Sequence, residues 1–165
     1  MKHSLTFSIV IFSLVIISCQ SEIRIEKEKK AIIHVIEEST NAYKAREIGR
    51  LDSIYLHCEA TTRLNAGKYD FNYRRGWDEI EAAYKEMFAA NPMAITTKYE
   101  KKDFVIKVYR KSAIAFHDEI IYDSENEYQH HQIGVHFLEK VKGKWKIVYL
   151  SYIDTSSYEE ETTAD

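Results

Sequence analysis

The chain reads as an α+β domain, with helices first and antiparallel strands after. Two observations carry this. Apolar residues recur at helical spacing over residues 23–48 and again over 76–90. From about Ile95 to Ile153, four segments rich in β-branched and aromatic residues are split by short turns, the mark of consecutive hairpins. Composition agrees: 45% of the 165 residues are apolar and 13% aromatic, enough for one core and too much for a disordered chain.

The first helix places Ile25, Ile32, Ile33, Ile36, Thr40 and Tyr43 on one face. Glu26, Lys27, Glu28, Lys29 and Lys30 fill its wet side, and Gly49 is the expected C-cap. Residues 51–58 stay ambiguous, with a second short helix as one reading. Residues 60–74 read as strand, turn, strand, with the break near Ala66-Gly67-Lys68. Gly76 opens the next helix, in which Trp77, Ile80, Tyr84, Met87 and Phe88 recur at helical spacing. Asp78, Glu79 and Glu81 suit its positive N-terminal end, and Asn91-Pro92 ends it. The strand segments follow as ITTKYEKKDFVIKVY, SAIAFHDEIIY, YQHHQIGVHFLEKV and KWKIVYLSYI. The last residues, 155–165, form a polar acidic tail.

Ahead of the domain stands MKHSLTFSIVIFSLVIISCQ, a short basic start and an apolar run from Leu5 to Ile17. The run is shorter than the ~20 residues that span a bilayer and suits a secretory signal peptide. Ile16-Ile17-Ser18-Cys19 resembles the bacterial lipobox. That resemblance implies a signal peptide over 1–18, cleavage before Cys19, lipidation (palmitate among the acyl chains) of Cys19, and a tether over 19–26. It implies a lipoprotein anchored in the bacterial cell envelope. Gln20, which is not aspartate, points to the outer membrane under the enterobacterial sorting pattern. With Cys19 lipidated, Cys58 has no disulfide partner and reads as a small buried residue. The net charge of −3, or −4 without the first 18 residues, and the lack of a basic stripe exclude nucleic acid as a partner.

The order helix, hairpin, helix, long sheet resembles the nuclear transport factor 2-like superfamily, and within it the SnoaL-like domains, over residues 27–154. The residues that carry the resemblance are Gly76 in RRGWDEIEAAYKEMF and Gly143, Trp145 and Ile147 in the terminal hairpin. It implies a cone: a curved antiparallel sheet, cystatin-like in fold, wrapped around the N-terminal helices with a pocket at the open end. Members include isomerases, dehydratases, cyclases and pure binding modules, so the fold leaves the function open. Many continue the last strand with histidines four and six residues after the tryptophan. Here those positions hold Tyr149 and Ser151.

A two-residue turn at Lys142-Gly143 pairs His136 with Tyr149 and Glu139 with Lys146. That register points His136, Tyr149 and Ser151 into the cone. A turn centred on Glu125 pairs Asp118 with Gln132 and turns Asp118 inward, with His117 and Glu119 outward; a slip of one residue reverses this. Tyr43 and Trp77 point inward from the helices, as pocket lining or as plain core. Arg63, Arg74 and Arg75 are expected in solvent. The three histidines of YQHHQIGVHF do not share a metal, because His130 and His131 face opposite ways and His136 lies about 20 Å from His130 along the strand.

Three functions remain. One is a module that binds a small, largely apolar molecule, oriented by His136, Tyr149 and Asp118. A second is an acid–base enzyme of the isomerase, dehydratase or cyclase type, free of cofactor and metal, with Asp118 as base and His136 or Tyr149 as donor. A third is a structural dimerisation domain. In all three, an apolar outer sheet face (Ile133, Val135, Phe137, Val148, Leu150, Tyr152) makes a homodimer the expected assembly.

Overall fold

The computed structural model describes the backbone of residues 3–67, 71–123, 125 and 127–155, with side chains from residue 22 onward in those ranges. The side chains of the signal segment and of Cys19, on which the expectation of lipidation bears, and the tail past 155 lie outside the described residues. The elements run α1 (His3–Lys44), α2 (Ile48–Ile54), β1 (Thr62–Ala66), β2 (Phe71–Arg75), α3 (Trp77–Ala90), β3 (Lys98–Val108), β4 (Ser112–Tyr122), β5 (Tyr128–Val141) and β6 (Lys144–Asp154). Among the described residues no helix is long and apolar enough to cross a membrane.

The six strands form one curved sheet, in the order β2-β1-β6-β5-β4-β3. The three hairpins of β3 to β6 are antiparallel, as the turn signals require. The sheet is nonetheless mixed, because β1 pairs parallel to β6. The helices cover its concave face. Ile32, Ile36, Leu51, Tyr55, Trp77, Ile80, Tyr84, Phe88, Leu138 and Ile147 form the core between them.

The first helix ends at Lys44 rather than at Gly49, which lies inside α2. Glu47 N–H donates to Ala42 O at 3.0 Å and Arg46 N–H to Tyr43 O at 3.1 Å, a Schellman closure with Arg46 at φ 62°. A non-glycine residue tolerates that conformation here because its guanidinium is held on both sides. It lies 5.3 Å from the Tyr43 ring centre and 5.2 Å from that of Phe88, and donates to Met93 O. Glu28 also departs from expectation. It leaves the wet side and ties α1 to the sheet: Lys140 Nζ donates to its two oxygens at 2.5 and 2.6 Å, and Trp145 Nε1 donates at 2.8 Å.

Two irregularities decide which side chains enter the cone. Along β5 and β6 the pairing near the turn is the expected one, Glu139 with Lys146 and Leu138 with Ile147. Val148 is then an extra residue, so Phe137 meets Tyr149 and His136 meets Leu150. Leu150 and Tyr152 therefore turn inward, while Tyr149 and Ser151 turn to the outer face. At the β4–β5 turn, Asp123 Oδ1 accepts from the Glu125 and Glu127 amides, and the register slips between Ile121 and Tyr122. Asp118 then pairs with Ile133 and Glu119 with Gln132. The physical reason is the crowded concave face. The slip places the small Ala113 and Ala115 beneath the helices, both fully buried, and leaves Phe116 39% exposed outside.

Candidate functional site

A cavity of about 310 Å³ opens between α1, α3 and the concave face of the sheet. α1 supplies Ser39, Thr40 and Tyr43, β1 supplies Arg63, Asn65 and Ala66, and α3 supplies Tyr84. The other wall comes from Tyr99, Glu119, Ile121, His130, Gln132, Leu150, Tyr152 and Asp154. Pairwise alternation explains the set. Arg63 pairs with Leu150 and Asn65 with Tyr152, so all four share the inner face. The volume falls at the lower end of the ~300–1,000 Å³ usual for small-molecule sites.

Glu119 is buried, and its carboxylate is paired with Lys101 of β3, which is buried as well. Gln132 Nε2 also donates to it, at 2.5 Å. Facing it across the cavity is Arg63, whose guanidinium stacks 5.1 Å from the Tyr84 ring centre. The phenols are held protonated. Burial pushes the Tyr99 hydroxyl up to about 12 and the Tyr152 hydroxyl well above its ordinary value. They present donors at neutral pH.

Behind this wall lies a second polar pair that does not open into the cavity. His117 and His136 are 2% and 0% exposed, with their Nε2 atoms 3.0 Å apart. His117 Nδ1 lies 3.3 Å from Asp118 O and must donate to it. A neutral His117 then accepts at Nε2 from His136 Nε2–H, which leaves His136 Nδ1 enclosed and unpartnered. Burial lowers both imidazole pKa values, and strongly so for His136. The two rings pack with Phe104 and Tyr152.

The candidates read from sequence are dispersed. Tyr43 lines the cavity. His136 faces inward but sits in the buried pair. Trp77 is core, stacked between Tyr55 and His57 at 5.1 Å from each. Tyr149 and Ser151 face outward, a consequence of the Val148 bulge. Asp118 also faces outward, where His131 Nε2 lies 3.0 Å from its Oδ1. The outer-face set changes accordingly, since Leu150 and Tyr152 leave it. Arg63 is in the cavity rather than in solvent. Cys58 is only half-buried, its Sγ 3.4 Å from Thr61 Oγ1. The residues missed, Arg63, Glu119 and Lys101, had one usable signal. Gly134 interrupts a strand, and a strand glycine marks a close approach. Here the His117 ring occupies the space that a Cβ would need, which places His117, and with it Glu119, on the inner face.

No protein-family model matches the chain, and neither does any curated protein. Solved structures do match. A protein of unknown function with a cystatin-like fold from Nostoc punctiforme superposes with a TM-score of 0.62 at 12% identity, over 78% of this chain and 92% of that one. A nuclear transport factor 2-like protein of unknown function from Shewanella oneidensis gives 0.60 at 16% identity, over 77% and 99%. A further nuclear transport factor 2-like protein with a cystatin-like fold, from Novosphingobium aromaticivorans, gives 0.61 at 10%, over 89% and 95%. The fold is thus the nuclear transport factor 2-like, cystatin-like one. At these identities the likeness extends to the fold alone.

Proposed function

We propose that the protein is an envelope-anchored lipoprotein whose SnoaL-like domain binds a small molecule in the cavity of the cone. One observation carries the binding role. The cavity is open, is not filled by Trp77 or Phe88, and is walled by polar groups from both the helices and the sheet. Acid–base catalysis by Asp118 with His136 or Tyr149 loses its geometric basis, because the three residues do not meet around one cavity. The carboxylate that does reach the cavity, Glu119, has its charge offset by Lys101, which suits a wall better than a base.

The anchor rests on the lipobox ending at Cys19 and on the signal segment before it, with the outer membrane as its location. The assembly we favour is a homodimer through the outer sheet face. Val105, Phe116 and Ile153 are 67, 39 and 40% exposed there, an apolar set that a second copy would cover.

Native mass spectrometry of the protein released from its own envelope tests the binding role. The wild type should carry a retained small-molecule adduct, and Asn65→Trp, whose side chain enters the cavity from β1, should not. A wild type without adduct, or an adduct that survives Asn65→Trp, would refute it.

A further inference from the structure

We infer that the ligand is a small organic monocarboxylate, its carboxylate held by Arg63 and its apolar body laid against Leu150, Ile121 and the tyrosine rings. This deepens the small-molecule reading above and rests on it.

One cation of the cavity, Arg63, has no counter-charge paired with it among the described residues. Arg63 sits on the inner face of β1, opposite Leu150. Its Nε is enclosed and has no hydrogen-bond partner. Its Nη2 lies 3.1 Å from the Asn65 amide oxygen in the orientation that satisfies that amide. The titratable groups that act on it most strongly are the phenols of Tyr84, Tyr55, Tyr43 and Tyr152, none of which is a carboxylate. Among the described residues no carboxylate forms an ion pair with it. A half-buried guanidinium without an anion is costly, and that of Arg63, unlike that of Arg46, opens into a cavity.

The shape of the missing partner follows from the same wall. A guanidinium offers parallel N–H groups that match the two oxygens of a carboxylate or phosphate. A monocarboxylate matches the single positive charge of Arg63, which a dianion such as phosphate would exceed. The protonated phenols of Tyr99 and Tyr152 can donate to the same anionic group. The cavity holds about ten water molecules at ~30 Å³ each, room for an acid of modest size. Leu150, Ile121 and four tyrosine rings then meet the rest of the molecule.

Titration calorimetry on the purified full chain in detergent tests this with benzoate, phenylacetate and hexanoate, the amide of each, and inorganic phosphate. At least one carboxylate should bind about tenfold or more tighter than its own amide, the ratio expected of a charge-assisted hydrogen bond. Arg63→Gln should erase that preference, and Arg63→Lys should keep part of it. Should Arg63→Gln fail to fold, the wild-type comparison of acid and amide decides alone. Equal binding of an acid and its amide overturns the carboxylate assignment and leaves the small-molecule role standing. Tighter binding of phosphate overturns it in the same way. No binding by any probe, together with no adduct in the native mass spectrum, overturns both.

Discussion

Gly134→Ala should be among the most damaging single-methyl changes in this protein. A Cβ at that position would stand 2.3 Å from His117 Nε2, 2.5 Å from Cε1 and 3.0 Å from Cδ2. Ordinary contact between such atoms is ~3.5–4.0 Å, so the ring must retreat by more than ~1 Å. It has nowhere to go. His136 lies 3.0 Å away at Nε2, and the Phe104 ring centre lies 5.0 Å from that of His117. Overpacking a tight site costs about 1–3 kcal/mol, and losing the imidazole–imidazole hydrogen bond about 1 kcal/mol more. The expected loss is therefore about 2–4 kcal/mol, or roughly 6–16 °C in Tm for a domain of this size. Urea and thermal denaturation followed by circular dichroism measure it. Gly134→Ala combined with His117→Ala should be milder than the sum of the two single changes by at least about 1 kcal/mol, because the ring that clashes is gone. A loss under about 0.5 kcal/mol for Gly134→Ala, or strict additivity in the double variant, would refute the reasoning.

The same pair predicts a pH dependence. Both imidazoles are held neutral by burial, with folded pKa values below the ordinary ~6.5. The unfolded chain then takes up protons first as pH falls. Stability is fully present above ~6.5 and declines below it, by up to about 1.4 kcal/mol per pH unit for each ring. Urea midpoints that stay equal at pH 7.5 and 5.5 would contradict this. On α1, Glu28→Gln should cost about 1 kcal/mol at pH 7 by removing the partner of Lys140. The hydrogen bond from Lys140 holds the Glu28 pKa below the ordinary carboxylate value. Its contribution is present above ~4.5 and fades as pH falls through that lowered value, so the gap between the two proteins should close on acidification in the same assay. Phe116→Glu places a charge on the apolar outer face, and light scattering after gel filtration should show a monomer in place of the proposed dimer. A dimer that persists would move the interface elsewhere.

Element identity and order were legible along the chain, because they depend on local periodicity and on turn chemistry. Trp77, Ile80, Tyr84 and Phe88 at helical spacing could only be one buried face, and they are. The strands between Lys98 and Asp154 end where the turn residues stand. Three things were decided by tertiary structure. The parallel pairing of β1 with β6 joins segments far apart in the chain, which no turn signal reports. The end of α1 at Arg46 depends on Tyr43, Phe88 and Met93 receiving its guanidinium. The contents of the cavity depend on one extra residue in β6 and a one-residue slip at the turn into β5. The side-chain period of a strand is two, so each single-residue shift exchanges the faces. That arithmetic sends Asp118, Tyr149 and Ser151 outside and brings Glu119, Leu150 and Tyr152 in. Local periodicity and turn chemistry set which segments become the strands of the cone, while packing against the helices selected which of their side chains line it.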